Sequence, residues 1–221
     1  MEHFSTLILD FDGTIADSVE GIVSTSMSTL KELSIPPVSR EEVISLIGLP
    51  LTEMFRRMSS SDDESFLTLC TDTYRRIFKE RALDSITLFP GVKESLFDLH
   101  EKGISLNIAS SRSRGSIYHI LEKEGMMSLF DTILGVGEVT LHKPHPEMVL
   151  KILAERGVRP EESLMVGDTT FDIMMGHAAG CPGCGVTYGN HSRETLMSSS
   201  PEFIIDSFPE IEGIVIGTSV K

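Results

Sequence analysis

Asp10 and Asp12 stand two residues apart at the end of a short run of apolar and neutral residues, Thr6–Leu9, and Gly13 follows them. On an extended chain, residues i and i+2 point the same way, so two carboxylates face one spot. Gly13 lets the backbone turn tightly beside them. Later in the chain Ser110 and Ser111 close the apolar run 104–109, and Lys143 follows the run 130–136. Asp168 closes the run 163–166, with Asp172 one helical turn beyond. Acids gathered at strand ends suit a cation or a reacting phosphorus. At ~4 Å and an effective dielectric of about 20, each pair of like charges costs roughly 4 kcal/mol. A three-carboxylate cluster therefore needs a divalent ion or raised pKa values. Ligands that are all oxygen favour Mg²⁺ over zinc, which would want His or Cys. Lys143 and the serine hydroxyls suit the remaining oxygens of a phosphate. Such a site is built for phosphoryl transfer, where positioning and charge neutralisation do most of the catalysis.

The elements that must hold these residues follow from periodicity. After Thr14 the apolar residues Val19, Ile22, Val23, Met27, Leu30 and Leu33 recur every three or four positions, one face of a helix that Pro36 and Pro37 stop. Ser39 with Glu42 forms a capping-box pattern before Val43, Ile44 and Ile47. Leu51, Met54, Phe55 and Met58 predict a third helix, and Phe66, Leu67, Cys70, Tyr74 and Ile77 a fourth. Residues 16–86 thus read as helices without a strand. Beyond Pro90-Gly91 the rhythm alternates. Strands are expected at 104–109, 130–136, 163–166, 185–187 and 203–205, with helices between most of them. Alternation at that spacing means a parallel, doubly wound α/β sheet covered on both faces. The predicted architecture is a core of residues 1–15 and 87–221 with a helical cap, 16–86, inserted after the first strand. Ligands of such sheets bind at the carboxyl ends of the strands, where all the residues above fall.

Composition narrows the partners. The 221 residues carry a net charge of −14, which disfavours nucleic acid and anionic membranes. No apolar run approaches the ~20 residues needed to span a bilayer. The N-terminus has Glu2 and no basic region, unlike a signal peptide. Three cysteines argue against a secreted disulfide framework, and a cytoplasmic location is the default expectation. Cys181 and Cys184 have redox-motif spacing but lie where a helix runs into a short strand, the wrong context for that chemistry. Arg56 and Arg57 read as a solvated face of the cap. A monomer or a homodimer is expected.

Taken together the motifs resemble the haloacid dehalogenase superfamily on its phosphatase side. The matching pieces are Asp10-Phe11-Asp12-Gly13-Thr14 with Asp17-Ser18, Ser110 after a strand, Lys143-Pro144 with Pro146, and Gly167-Asp168-Thr169-Thr170-Phe171-Asp172. Pro90-Gly91-Val92 fits the return into the core. Ala179-Gly180-Cys181 and Val186-Thr187-Tyr188-Gly189 are similar to phosphoglycolate phosphatases and their neighbours. The resemblance implies a Rossmann-like core and an aspartyl-phosphate mechanism with Mg²⁺. In it Asp10 is the nucleophile. Asp12 protonates the leaving alcohol and then activates water. Ser110 hydrogen-bonds the phosphate and Lys143 neutralises it. Phe11, Gly13 and Ser111 contact the substrate, a small phosphorylated metabolite. Asp10, Asp168 and the Asp12 carbonyl hold the metal, and Asp172 either binds it directly or supports the residues that do. Ser111 departs from the Asn common at its position, and His142 and His145 flank Lys143. A sugar-phosphate mutase is the alternative within the family, although Thr14 stands where mutases often carry Val. A dehalogenase normally lacks the second acid, here Asp12. Phosphonate hydrolysis would need a cap lysine near the substrate, and neither Lys31 nor Lys79 has a recognisable context. A catalytically silent binding protein of the same fold is the reading of another class.

Overall fold

The computed structural model describes residues 4–217. Its centre is β1, Thr6–Leu9, buried along its whole length. A four-residue strand with no exposed face has to lie inside a sheet covered on both sides. Leu7 and Leu9 face one core layer and Ile8 the other, as the two-residue period of a strand dictates.

A two-residue strand, β2 (Ala16–Asp17), leads into four helices: α1 (Val19–Glu32), α2 (Arg40–Leu46), α3 (Leu51–Ser59) and α4 (Glu64–Arg81). Next come β3 (Thr87–Leu88), α5 (Val92–Glu101), β4 (Ser105–Ala109), α6 (Arg114–Glu124) and β5 (Phe130–Leu134). The chain then forms α7 (Glu147–Arg156), β6 (Ser163–Gly167), α8 (Thr170–Ala178) and β7 (Gly183–Val186). It ends with α9 (Arg193–Met197), β8 (Phe203–Ile205) and α10 (Ile211–Ile216).

The main sheet is parallel, in the order β5-β4-β1-β6-β7-β8. The register aligns Leu9 with Ile108 on one side and Val166 on the other. Asp10, Ser110 and Asp168 therefore leave the sheet at one edge. The strand order reverses around β1, and the crevice at that reversal is where such sheets bind ligands. The α/β Rossmann-like architecture read from the sequence is the one observed.

In the helical segment α1 packs against α4, and α3 against α4. The periodic residues Ile22, Val23 and Leu30 are buried there, whereas Met27 is left 39% exposed. Ser39 caps α2 as its pattern suggested, accepting the Glu42 N–H at 3.1 Å. The expectation of helices alone over 16–86 missed β2, which pairs antiparallel with β3 through Ala16–Leu88 and Asp17–Thr87. Two residues are too few to show a period, and the partner lies beyond all four helices. The Phe89 N–H extends the ribbon to the Ile15 carbonyl at 3.1 Å. Among the described residues no helix is long and apolar enough to cross a membrane.

Candidate active site

Asp10 is pinned where β1 ends, its N–H donating to the Val166 carbonyl of β6 at 2.9 Å. Lys143 comes from the loop before α7 and is wholly buried. Its Nζ donates to Asp10 Oδ1 and to Asp172 Oδ1, each at 2.6 Å. The other Asp172 oxygen accepts the Thr169 N–H at 3.0 Å and the Thr169 hydroxyl at 2.6 Å. That reciprocal cap at the start of α8 explains why an acid in its first turn points back into the site. Asp168 Oδ2 accepts the Asn190 N–H at 2.7 Å and its amide Nδ2 at 2.6 Å. One oxygen each from Asp10, Asp168 and Asp172 lie within 4.8 Å of one another.

Charge in this pocket does not balance. Burial pushes Asp10 up to about 7; Lys143 opposes the rise, while Asp172 and Asp12 add to it. Asp168 is raised well above the usual carboxylate range, first by burial and then by Asp10 and Asp172. For Lys143, burial works against the charge, yet Asp10 and Asp172 outweigh it and hold the amine above an ordinary lysine. Three buried acids face one buried ammonium, so ionising all of them leaves two negative charges uncompensated. A divalent cation held by Asp10, Asp168 and Asp172 would restore neutrality. The donor set is all oxygen, which suits a hard ion. Asn190 Oδ1, on the amide whose Nδ2 meets Asp168, is buried and has no partner among the described residues.

Asp12 stands apart from the triad. Its carboxylate accepts Arg112 Nε at 3.0 and 2.8 Å and Arg112 Nη2 at 2.6 Å, and Ser18 Oγ donates to it at 2.5 Å. Its side chain is 14% exposed. The Asp12 carboxylate thus faces Arg112 and Ser18 and is not one of the three that cluster. The Arg112 guanidinium lies 4.8 Å from the ring centre of Phe78 on α4.

Asp10, Asp12, Ser110, Ser111 and Arg112 line one cavity of ≈ 480 Å³ between the strand ends and the helical segment. Its far wall includes Ile22, Met54, Tyr74 and Phe78. Ser110 is buried and its Oγ accepts the Arg112 N–H at 3.2 Å.

The three residues expected at the substrate differ in where their atoms lie. Phe11 is fully buried in the larger core cluster, so its side chain packs and does not face the cavity. Gly13 does not line the cavity either. It has φ +85°, and a Cβ there would overlap Asp168 Oδ2 and sit 2.5 Å from Asn190 Nδ2. Its role is to let the Asp168 carboxylate come close. Ser111 lines the cavity, and its hydroxyl donates to the Gly48 carbonyl between α2 and α3 at 2.6 Å. Lys79, for which the sequence offered no context, also lines the cavity, as an exposed residue. Arg56 and Arg57 are committed to ion pairs with Glu53, Arg56 also to Glu64. Cys181 and Cys184 are buried free thiols, and burial pushes Cys181 up to about 12, which leaves little thiolate for redox work. Neither Arg112 nor Asn190 was singled out from the sequence. Only the position of Arg112, one residue past the serine pair, hinted at it.

A family model described as haloacid dehalogenase-like hydrolase matches residues 7–186. The chain is 37% identical over 210 residues to a protein of Dickeya dadantii named "Probable phosphatase IndB", covering 94% of this chain and 91% of that one. It is 29% identical to the phosphoglycolate phosphatase of Salmonella typhimurium, covering 96% and 92%. Identity to the pyrophosphatase PpaX of Oceanobacillus iheyensis is 32%, covering 95% and 96%. Among solved structures, a haloacid dehalogenase-like hydrolase from Bacteroides fragilis superposes with a TM-score of 0.90 at 29% identity, over 94% of this chain and 99% of that one. With the four motifs at one sheet edge and a match spanning most of the sequence, the chain belongs to the haloacid dehalogenase-like hydrolases.

Proposed function

We propose that the protein is a Mg²⁺-dependent phosphatase that hydrolyses a small phosphomonoester through an aspartyl-phosphate on Asp10. The observation that carries this reading is Lys143 bridging Asp10 and Asp172 at 2.6 Å each, with Asp168 close by. A buried nucleophile held by an ammonium and facing an excess of acids is arranged for a substrate that arrives with a cation.

Asp10 Oδ attacks phosphorus, the Oδ–P bond forms and the bond to the leaving oxygen breaks. Asp12 gives its proton to that oxygen. Asp12 then takes a proton from water as the water attacks the phosphoryl group and frees Asp10. Lys143 holds Asp10 in one orientation and offsets charge on the phosphoryl oxygens. Ser110 donates a hydrogen bond to one of them. Bound at Asp10, Asp168 and Asp172, Mg²⁺ would supply further charge neutralisation. Helices α1–α4 act as a cap that shields the cavity from bulk water. The phosphatase names of the relatives support the reading. Two of those names specify phosphoglycolate and pyrophosphate, small molecules that carry a second anionic group close to the scissile bond.

Release of nitrophenol from p-nitrophenyl phosphate, with Mg²⁺ and with a chelator, tests the proposal. Turnover that appears only with Mg²⁺ supports it. A folded protein without turnover in either condition, on this substrate or on 2-phosphoglycolate, would end it.

A further inference from the structure

Arg112 is a buried cation that the reaction above leaves without a task. Its side chain is 7% exposed and lines the same cavity as Asp10 and Asp12. A guanidinium carries five N–H donors in a fixed plane. Nε donates to Asp12, Nη2 donates to Asp12 Oδ1, and Nη1 donates to Ser116 Oγ at 2.8 Å. That accounts for three donors. The second N–H of each terminal nitrogen has no acceptor among the described residues. Phe78 covers the guanidinium and helps fix its plane. Two charge-bearing donors therefore remain on a side chain that borders the cavity, and an anion that enters it can accept from them.

We propose that Arg112 binds a second anionic group of the substrate, a carboxylate or a second phosphate on the leaving-group side of the scissile P–O bond. The inference rests on the phosphatase reading and adds the substrate class. The side follows from Asp12, which touches Arg112 and in that reading also serves the leaving oxygen. An anion that reaches Arg112 therefore lies within a few bonds of that oxygen. The opposite wall offers Ile22, Met54 and Tyr74. The other cationic residues on the cavity, Arg75 and Lys79, are exposed, where solvent screening weakens them.

The test compares kcat/KM for 2-phosphoglycolate, pyrophosphate and ethyl phosphate, the last with a methyl group in place of the carboxylate. The wild type is expected to favour at least one anionic substrate over ethyl phosphate by about tenfold or more. Arg112→Met is expected to shrink that preference at least about tenfold, with Arg112→Lys in between because it keeps the charge without the fork. The two anionic arms separate a carboxylate from a second phosphate. Equal losses on all three substrates in Arg112→Met would overturn the proposal, since Arg112 would then act only through Asp12. A wild-type enzyme that hydrolyses p-nitrophenyl phosphate but favours neither anion would overturn it too. If Arg112→Met fails to fold by circular dichroism, Arg112→Lys decides: a reduced preference supports the proposal and an unchanged one sinks it. Inactivity on every substrate would instead strike the phosphatase reading.

Discussion

Lys143 and Asp172 form a 2.6 Å ion pair in which neither side chain reaches solvent. Removing one partner of a buried pair leaves an uncompensated charge, which costs about 3–5 kcal/mol. Here Asp10 loses the same partner. Lys143→Met is therefore expected to lose about 3 kcal/mol of stability by denaturant titration. Its turnover should drop by at least about a thousandfold. Wild-type turnover in a folded Lys143→Met protein would remove the lysine from the mechanism.

Asp10→Asn should separate chemistry from folding. The amide cannot form the acyl-phosphate, so turnover is expected to fall by more than about a thousandfold. The substitution also deletes one of three crowded acids. The metal-free variant should be at least as resistant to urea as the wild type, because burial already disfavours the Asp10 charge. A marked loss of stability would mean that the Lys143 contact outweighs that burial.

Metal and pH should act on the same groups. Asp10 and Asp168 have folded pKa values raised above those of the unfolded chain. Between about 4 and about 7 the unfolded state releases the Asp10 proton before the folded state does. The folded state binds more protons there, so this group's contribution to stability falls as pH rises through that window. A cation competes with those protons. The rise in Tm produced by Mg²⁺ is therefore expected to be larger at pH 8 than at pH 5, read by thermal melts with and without a chelator. An equal rise at both pH values would place the ion elsewhere.

Gly13→Ala tests the close approach of Asp168. The left-handed φ alone costs an alanine of order 1–3 kcal/mol, and its Cβ would also displace the Asp168 carboxylate. Weaker Mg²⁺ binding by calorimetry is expected, together with the stability loss. Unchanged affinity would show that Asp168 does not hold the ion.

Much of this site could be read before any coordinates. Asp10, Ser110 and Asp168 each close a buried strand, and a parallel sheet brings its strand ends together whatever the loops do. Lys143 and Asp172 were legible by their spacing from those strands. What stayed hidden were residues whose importance depends on a partner far away in sequence. Arg112 matters because it meets Asp12, and Asn190 because it meets Asp168. Neither pairing leaves a trace in local periodicity. The direction of the Phe11 ring is a related case. Between two aspartates it looks like part of a ligand surface, but the alternation that aims its neighbours at the cleft turns its ring into the core.

The short β2–β3 ribbon carries a mechanical consequence. The chain enters and leaves the four helices through strands that lie side by side, so those helices are tethered to the sheet at one hinge. A swing about that line would lift Phe78 from Arg112 and break the Ser111–Gly48 hydrogen bond together. Opening the door for substrate and uncovering the arginine's guanidinium would then be a single movement.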